Sequence, residues 1–554
     1  LRIVVCHLAN GTLAVAAGKI NRTEGTLRTV RDSFDSREGA QGERVLFVLV
    51  ALAHLAPLVA FPRFVSQDGP AHVGNAFALA NYFSPDLPGL REYFVLNLRP
   101  FPNWTAHVVL ALLLKVAAPA VAERLLVAGL VVSLPLAVRY ALRGISRPAG
   151  VLALAAFPFA YSFPTHMGFY SFGWGLSVAF LLIGFWLRRR DAMSGSAGLA
   201  LAVIALALYF CHLVPLLLGA ITLLAASGSS AAWALRLEPA ARRRAWRSTG
   251  ITCLALSPAV GLSAWFLATA REAGPAWREP LAGVVGKLLC LDALVSFDPI
   301  EVPLAALLAT LILGHAVLGL RRRAADPPGL SWGLGLAAGV TLGVYLLAPS
   351  RAGGGSYIKE RVALFFFLSL LPWIASRSFS RREHLRLAGA VTVLSLALVA
   401  SRWNAYAASN LELNDYLSCA QELKANHTLF SMPFSTRVRG LATRDIGRVR
   451  PLLHASGYLV AERHLVDLKD YEAARDHFPL RYAPERSPFL YLAANEDAMK
   501  SEPPRVDLDG YRRRTSGRVD YLLAWDATAF DPGPGFERVE GCPAPSRASV
   551  YAAP

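Results

Sequence analysis

Long apolar runs separated by short arginine-rich joints constrain this chain more than any other feature. Runs of roughly 15–20 apolar residues match the hydrocarbon thickness of a bilayer. A segment crossing that layer must satisfy its own backbone hydrogen bonds, so the runs read as helices. Composition agrees: 54% of the 554 residues are hydrophobic and only 17% are charged, more apolar than a soluble protein of this length needs. The net charge of +17 could suit a nucleic-acid partner. However, the arginines cluster as Arg188–Arg190, Arg242–Arg244, Arg321–Arg323 and Arg381–Arg382, each beside an apolar run. That is positive-inside placement, and no nucleic-acid partner is expected.

The fold class predicted is mainly α: a polytopic helical membrane protein of about eleven spans with a C-terminal extracytoplasmic α/β domain. Residues 1–43 read as a cytoplasmic tail, 44–402 as the transmembrane domain and 403–554 as the outer domain. Expected spans are Val45–Phe61, Ala122–Tyr140, Ala149–Phe163, Gly168–Leu187, two short helices within Ala197–Ala226 turning at His212, Gly250–Ala270, Val302–Leu320, Trp332–Ala348, Val362–Ala375 and Leu387–Ala400. If Trp104–Val116 crossed the membrane, the following arginine joints would all change side, so it is expected to lie along the surface within a first outer loop, residues 62–121. Beyond Trp403, a helix is expected at Asn410–Leu423 and strands at Thr428–Met432, Val519–Trp525 and Ala548–Ala552. Cys419 and Cys542 both fall in this outer part, where oxidising conditions permit pairing.

Three outer loops then share one membrane face. The first, FPRFVSQDGPAHV, carries Asp68 and His72; the second carries Asp292, Asp298 and Glu301; the third, RAGGGSYIKER, carries Arg351, Lys359, Glu360 and Arg361. An acid at membrane depth is costly and marks a candidate site. A carboxylate opposite a basic, glycine-rich loop suits glycosyl transfer from a lipid phosphate: the acid takes a proton from the acceptor hydroxyl, and the cations hold the leaving phosphate. Gly353–Gly355 would permit close backbone approach. Plainer readings stand beside these. Asp68 precedes Gly69-Pro70 and could simply cap a helix. His72 could share a metal with Asp68 or hydrogen-bond it, and the second is favoured because one Asp–His pair is a weak metal signal. Asp292, Asp298 and Glu301 could be solvated loop charges, and Lys359 and Arg361 could snorkel to the interface. His212 reads as a hydrogen-bonded buried histidine, while His166 and Tyr170 could line a sugar pocket or belong to an aromatic belt.

The order of features resembles the GT-C superfamily of polyprenyl-phosphate-sugar-dependent glycosyltransferases. The resemblance rests on the acidic DGPAH loop after a first span and on the stretch PNWTAHVVLALLLKVAAPAVAERLLVAGL, with its Glu123-Arg124 pair. It also rests on the outer-turn stretch FPFAYSFPTHMGFYSFGWGL and on a C-terminal outer domain. It covers Val45 to Arg402. It implies a bacterial inner-membrane, cell-envelope enzyme, probably inverting in its chemistry, with a polyprenyl phosphate sugar as donor and a glycan or glycolipid as acceptor. Asp68 matches the position of the family's catalytic acid, with His72 beside it. Lys359 and Arg361 lie near where such enzymes hold donor phosphate, Arg351 is kept as a further phosphate candidate, and Tyr170 and His166 as pocket candidates. Many members carry two acids in the first loop, whereas His72 stands here, so metal use is left open and no metal ligands are assigned. A glycolipid flippase and a non-enzymatic envelope assembly protein are the alternatives.

Overall fold

The computed structural model describes residues 41–269, 277–324, 328–352, 355–439, 448–492, 506–528, 530–540, 542 and 546–553. The expected tail up to residue 40 and Gly353–Gly354 of the third loop lie outside these. The chain divides into two compact units between Ala53 and His54; everything below concerns the second, apart from the first helix, Gln41–Ala60.

The protein is a polytopic helical membrane protein. Eight described helices are long and apolar enough to cross a bilayer: Gln41–Ala60, Pro119–Arg143, Tyr170–Ala192, Leu213–Ala234, Pro239–Thr269, Glu301–Leu320, Pro328–Leu347 and Arg381–Tyr416. Shorter helical segments, Pro148–Ala160, Gly195–Cys211 and Ile358–Ala375, take the remaining expected places. The Trp104–Leu113 helix has 10 residues; at about 1.5 Å per residue it is too short to span, as the charge argument requires.

Local chemistry explains the departures from expectation. The chain does turn at His212, whose backbone is extended (φ −169°, ψ 139°) and whose Nδ1 accepts from the Val214 N–H at 3.1 Å. Residues Pro148–Ala156 form a 3-10 helix before a short α turn at Phe157–Ala160, instead of one regular span. The helix expected to begin at Gly250 begins at Pro239, because the intervening arginines are good helix formers. The last span, Arg381–Ser401, breaks for a single residue at Arg402 and resumes as Trp403–Tyr416, so the helix expected at Asn410–Leu423 starts earlier and ends at Tyr416.

Arginines of the joints tie neighbouring helix ends together. Arg188 donates to the Tyr140 carbonyl and Arg190 to that of Gly144. Arg377 donates to the Gly319 carbonyl and to Ser331, and Arg322 pairs with Glu383. The Gln67 and Asp68 N–H groups donate to the carbonyls of His166 and Met167, joining the first loop to the Phe163–His166 turn.

The C-terminal part carries a five-stranded sheet in the order β3-β2-β5-β7-β6. Its strands are β2 (Thr428–Pro433), β3 (Val466–Asp467), β5 (Tyr521–Trp525), β6 (Glu537–Arg538) and β7 (Ala548–Ala552). Strand β2 runs parallel to β3 and β5, and β7 antiparallel to β5 and β6. Three of these strands lie where alternation and β-branched content place them. Cys419 and Cys542 are disulfide-bonded. A separate pair, β1 (Phe94–Leu96) with β4 (Leu480–Tyr482), joins the first outer loop to the C-terminal part in antiparallel register, Phe94 opposite Tyr482.

Candidate functional site

Asp68 sits at the N-cap of the Gly69–Asn81 helix, but its side chain makes no capping hydrogen bond. Pro70 in the first turn has no N–H to offer, and the backbone carbonyl of Asp68 already accepts from His72 N–H at 3.1 Å. The carboxylate turns away from the helix. Oδ1 accepts from Gln67 Nε2 at 3.1 Å and lies 3.8 Å from His454 Nε2, and Tyr471 also hydrogen-bonds the group. Only 7% of Asp68 is exposed. Burial pushes its pKa up to about 6, against the lowering influence of His72. Burial likewise pushes His454 down to about 3, so this ring is neutral.

Two glycines allow this placement. Gly168, at φ +92°, brings the outer turn against the loop, and a Cβ there would stand 2.7 Å from Gly69 N and 3.0 Å from Asp68 C. Gly69 itself is enclosed by Glu123, Ser66 and Tyr170, each of which a Cβ would overlap.

Of the basic residues expected near Asp68, Arg361 is coupled to it through the electrostatic field, as it is to Tyr471. The Arg361 guanidinium lies over the Phe169 ring at 4.3 Å, and its Nη1 is 3.4 Å from His212 Nε2. Its Nε is buried with no hydrogen-bond partner. Lys359 points elsewhere. Its Nζ donates to the carbonyls of Tyr345 and Leu346 at 2.8 and 3.2 Å, which closes the end of the neighbouring helix Pro328–Leu347. Arg351 is exposed, and its carbonyl accepts from Trp277 N–H. A helical offset of two residues puts side chains on different faces, which separates Lys359 from Arg361.

The two pocket candidates are engaged in the packing of the bundle. Tyr170 donates to Glu123, which also accepts from Tyr458 and Ser66. His166 is held between Ser296 Oγ at 2.8 Å and Tyr406 Oη at 2.6 Å. The second-loop acids are likewise accounted for. Glu301 receives Arg402 at 2.9 Å and the N–H groups of Ser296, Phe297 and Asp298. Asp298 accepts from Ile300 N–H, and Asp292 pairs with Arg448 at 3.0 Å.

His72 does not turn its ring to the Asp68 carboxylate as expected. Its Nδ1 meets Glu472, and His107 Nε2 lies 2.8 Å from the other oxygen of the same carboxylate. His72, His107 and Glu472, all buried, form the one group among the described residues with donors placed to hold a metal ion.

Sequence reasoning missed His454, Tyr471, Glu472 and Arg448. They belong to a polar C-terminal stretch without a motif, and only the fold carries them to the first loop. Arg124, by contrast, was flagged with Glu123, and it donates to the carbonyls of Leu58 and Phe61 at the end of the first helix.

No protein-family model and no curated protein matches the sequence. Among solved structures, the chain is similar to ArnT from Cupriavidus metallidurans in the apo state. The match covers 93% of this chain and 98% of that one, with a TM-score of 0.48 and 13% identity.

Proposed function

We propose that the protein is a membrane glycosyltransferase that moves a sugar from a polyprenyl phosphate donor to a glycan or glycolipid acceptor at the outer face of the bacterial inner membrane. One observation carries the reading: Asp68 occupies a cap position yet leaves its carboxylate uncommitted to the helix, buried and electrostatically coupled to Arg361.

A carboxylate with a pKa pushed up to about 6 remains mostly ionised near neutral pH and is a stronger base than an exposed one. It takes the proton of the acceptor hydroxyl as that oxygen attacks the anomeric carbon. The bond from that carbon to the phosphate oxygen breaks with its electron pair, giving inversion and a free polyprenyl phosphate. Arg361, with an unpartnered Nε, meets the charge that grows on the leaving phosphate. This is the part that the resemblance implies for the third loop, assigned to Arg361 instead of Lys359 or Arg351. The disulfide supports placing the C-terminal part outside the cytoplasm.

The test is Asp68→Asn in purified, reconstituted protein given polyprenyl phosphate sugars and lipid-linked acceptors. Loss of a general base predicts a fall in transfer of about 10²–10⁴-fold at unchanged expression. Retained transfer removes Asp68 as the base. Movement of glycolipid across vesicles without any glycosyl product would replace transfer with a flippase reading.

A further inference from the structure

We infer that His72, His107 and Glu472 bind one divalent transition-metal ion of the zinc class, as a structural clasp between the first outer loop and the C-terminal part. The inference is independent of the transfer reading, because Asp68 and Arg361 contribute no donor to it.

The three residues come from three elements: His72 from the Gly69–Asn81 helix, His107 from the Trp104–Leu113 helix and Glu472 from the segment after β3. Their ligand atoms, one from each residue, all lie within 4.8 Å of one another, and all three residues are buried. Hydrogen bonding on the far side of each ring turns the correct atoms inward. His107 Nδ1 lies 3.4 Å from the Asn103 carbonyl, and its Nε2 lies 2.8 Å from Glu472 Oε2. With a proton on Nδ1, toward the Asn103 carbonyl, a neutral His107 ring would leave Nε2 free to bind a cation beside Glu472. The His72 ring hydrogen-bonds the backbone of Gly168 and directs Nδ1 to the same carboxylate. Two imidazoles and a carboxylate thus converge, a set that a shared proton or a metal ion can hold together. Carbonyl-anchored imidazoles are the usual support of metal-binding histidines.

The carboxylate is fixed with equal care. Asp470 Oδ1 accepts the Glu472 N–H at 2.9 Å, Asp470 Oδ2 accepts from Asn75 Nδ2 at 2.8 Å, and the Asp470 N–H donates to the Tyr482 hydroxyl at 3.0 Å. Asn75 lies one helical turn beyond His72, so the same helix supplies a ligand and an anchor for the opposing ligand. Two nitrogens and one carboxylate match zinc, whereas calcium and magnesium prefer oxygen alone.

The experiment uses the full chain, purified in detergent without chelators. Elemental analysis is expected to find about one zinc per chain, lost in Glu472→Gln and in His107→Ala. Wild-type protein stripped with a chelator and titrated with Co²⁺ is expected to give a visible spectrum of nitrogen and oxygen ligation at about one equivalent, and to melt at a higher temperature on loading. The titration needs no variant to fold. Absence of stoichiometric metal together with a silent Co²⁺ titration would overturn the inference in favour of a proton-shared His–Glu–His network. So would metal content unchanged in both variants.

Discussion

Lys359 and Arg361 are separated by one residue and have opposite fates. The ammonium of Lys359 is spent on the Tyr345 and Leu346 carbonyls. The guanidinium of Arg361 is buried and electrostatically coupled to Asp68, with Nε unpartnered. On the proposed reading, Arg361→Gln removes a charge-assisted contact to the leaving phosphate worth about 1.5–3 kcal/mol, so kcat/KM is expected to fall about 10–100-fold. Lys359→Met leaves two carbonyls at a helix end without their donor. It is expected to lower the melting temperature while kcat/KM stays within about twofold, since the contact to the leaving phosphate is untouched. Steady-state kinetics on both variants separates the two roles; equal falls in kcat/KM would return Lys359 to the site. At this scale the sequence shows which residues carry chemistry but not where they point. Asp68 is legible because an acid at the end of an apolar run is costly. Glu472 is not, because its value lies in two histidines that are nearly four hundred positions away in the chain.

Among elements, the fit between the Gly69–Asn81 and Ser456–Arg463 helices sets how the C-terminal part meets the first loop. Gly74 and Gly457 face one another, and a Cβ on Gly457 would stand 1.9 Å from the Pro70 carbonyl oxygen. Gly457→Leu therefore forces these helices apart, and overpacking of this kind costs about 1–3 kcal/mol. His454 and Tyr458 flank this contact, so Asp68 and Glu123 lose neighbours together. Lower melting temperature and lower transfer are expected in parallel. Gly314→Ala, in a helix position with nothing within 4 Å of the new Cβ, is the control; it gains up to about 1 kcal/mol of helix propensity and keeps activity. A Gly457→Leu protein with wild-type melting and transfer would show that this contact is dispensable. The spans themselves are legible because a bilayer admits few solutions for an apolar run. The Gly74–Gly457 contact is invisible in the sequence, where 43 glycines look alike.

For the whole molecule, sidedness is the property most open to a decisive measurement. Contacts at the arginine joints tie neighbouring helix ends together. Arg188 and Arg190 reach Tyr140 and Gly144, a Cβ on Gly329 would meet Trp233, and Arg377 ties Ser331 to Gly319 and Arg322. The positive-inside rule predicts that the arginine-rich helix ends face the cytoplasm. On that prediction Asp68, the proposed metal clasp and the disulfide would lie outside, as the proposed transfer requires. Arg243 and Glu485 are both exposed, and the proposed sidedness puts them on opposite sides of the membrane. In intact cells, a membrane-impermeant maleimide is expected to label Glu485→Cys at once and Arg243→Cys only after permeabilisation. The reverse pattern would place Asp68 in the cytoplasm and remove the outer-face donor with it. Labelling of both without permeabilisation would mean that the arginine face is not the cytoplasmic one, and the charge pattern on which the fold was first read would need another cause.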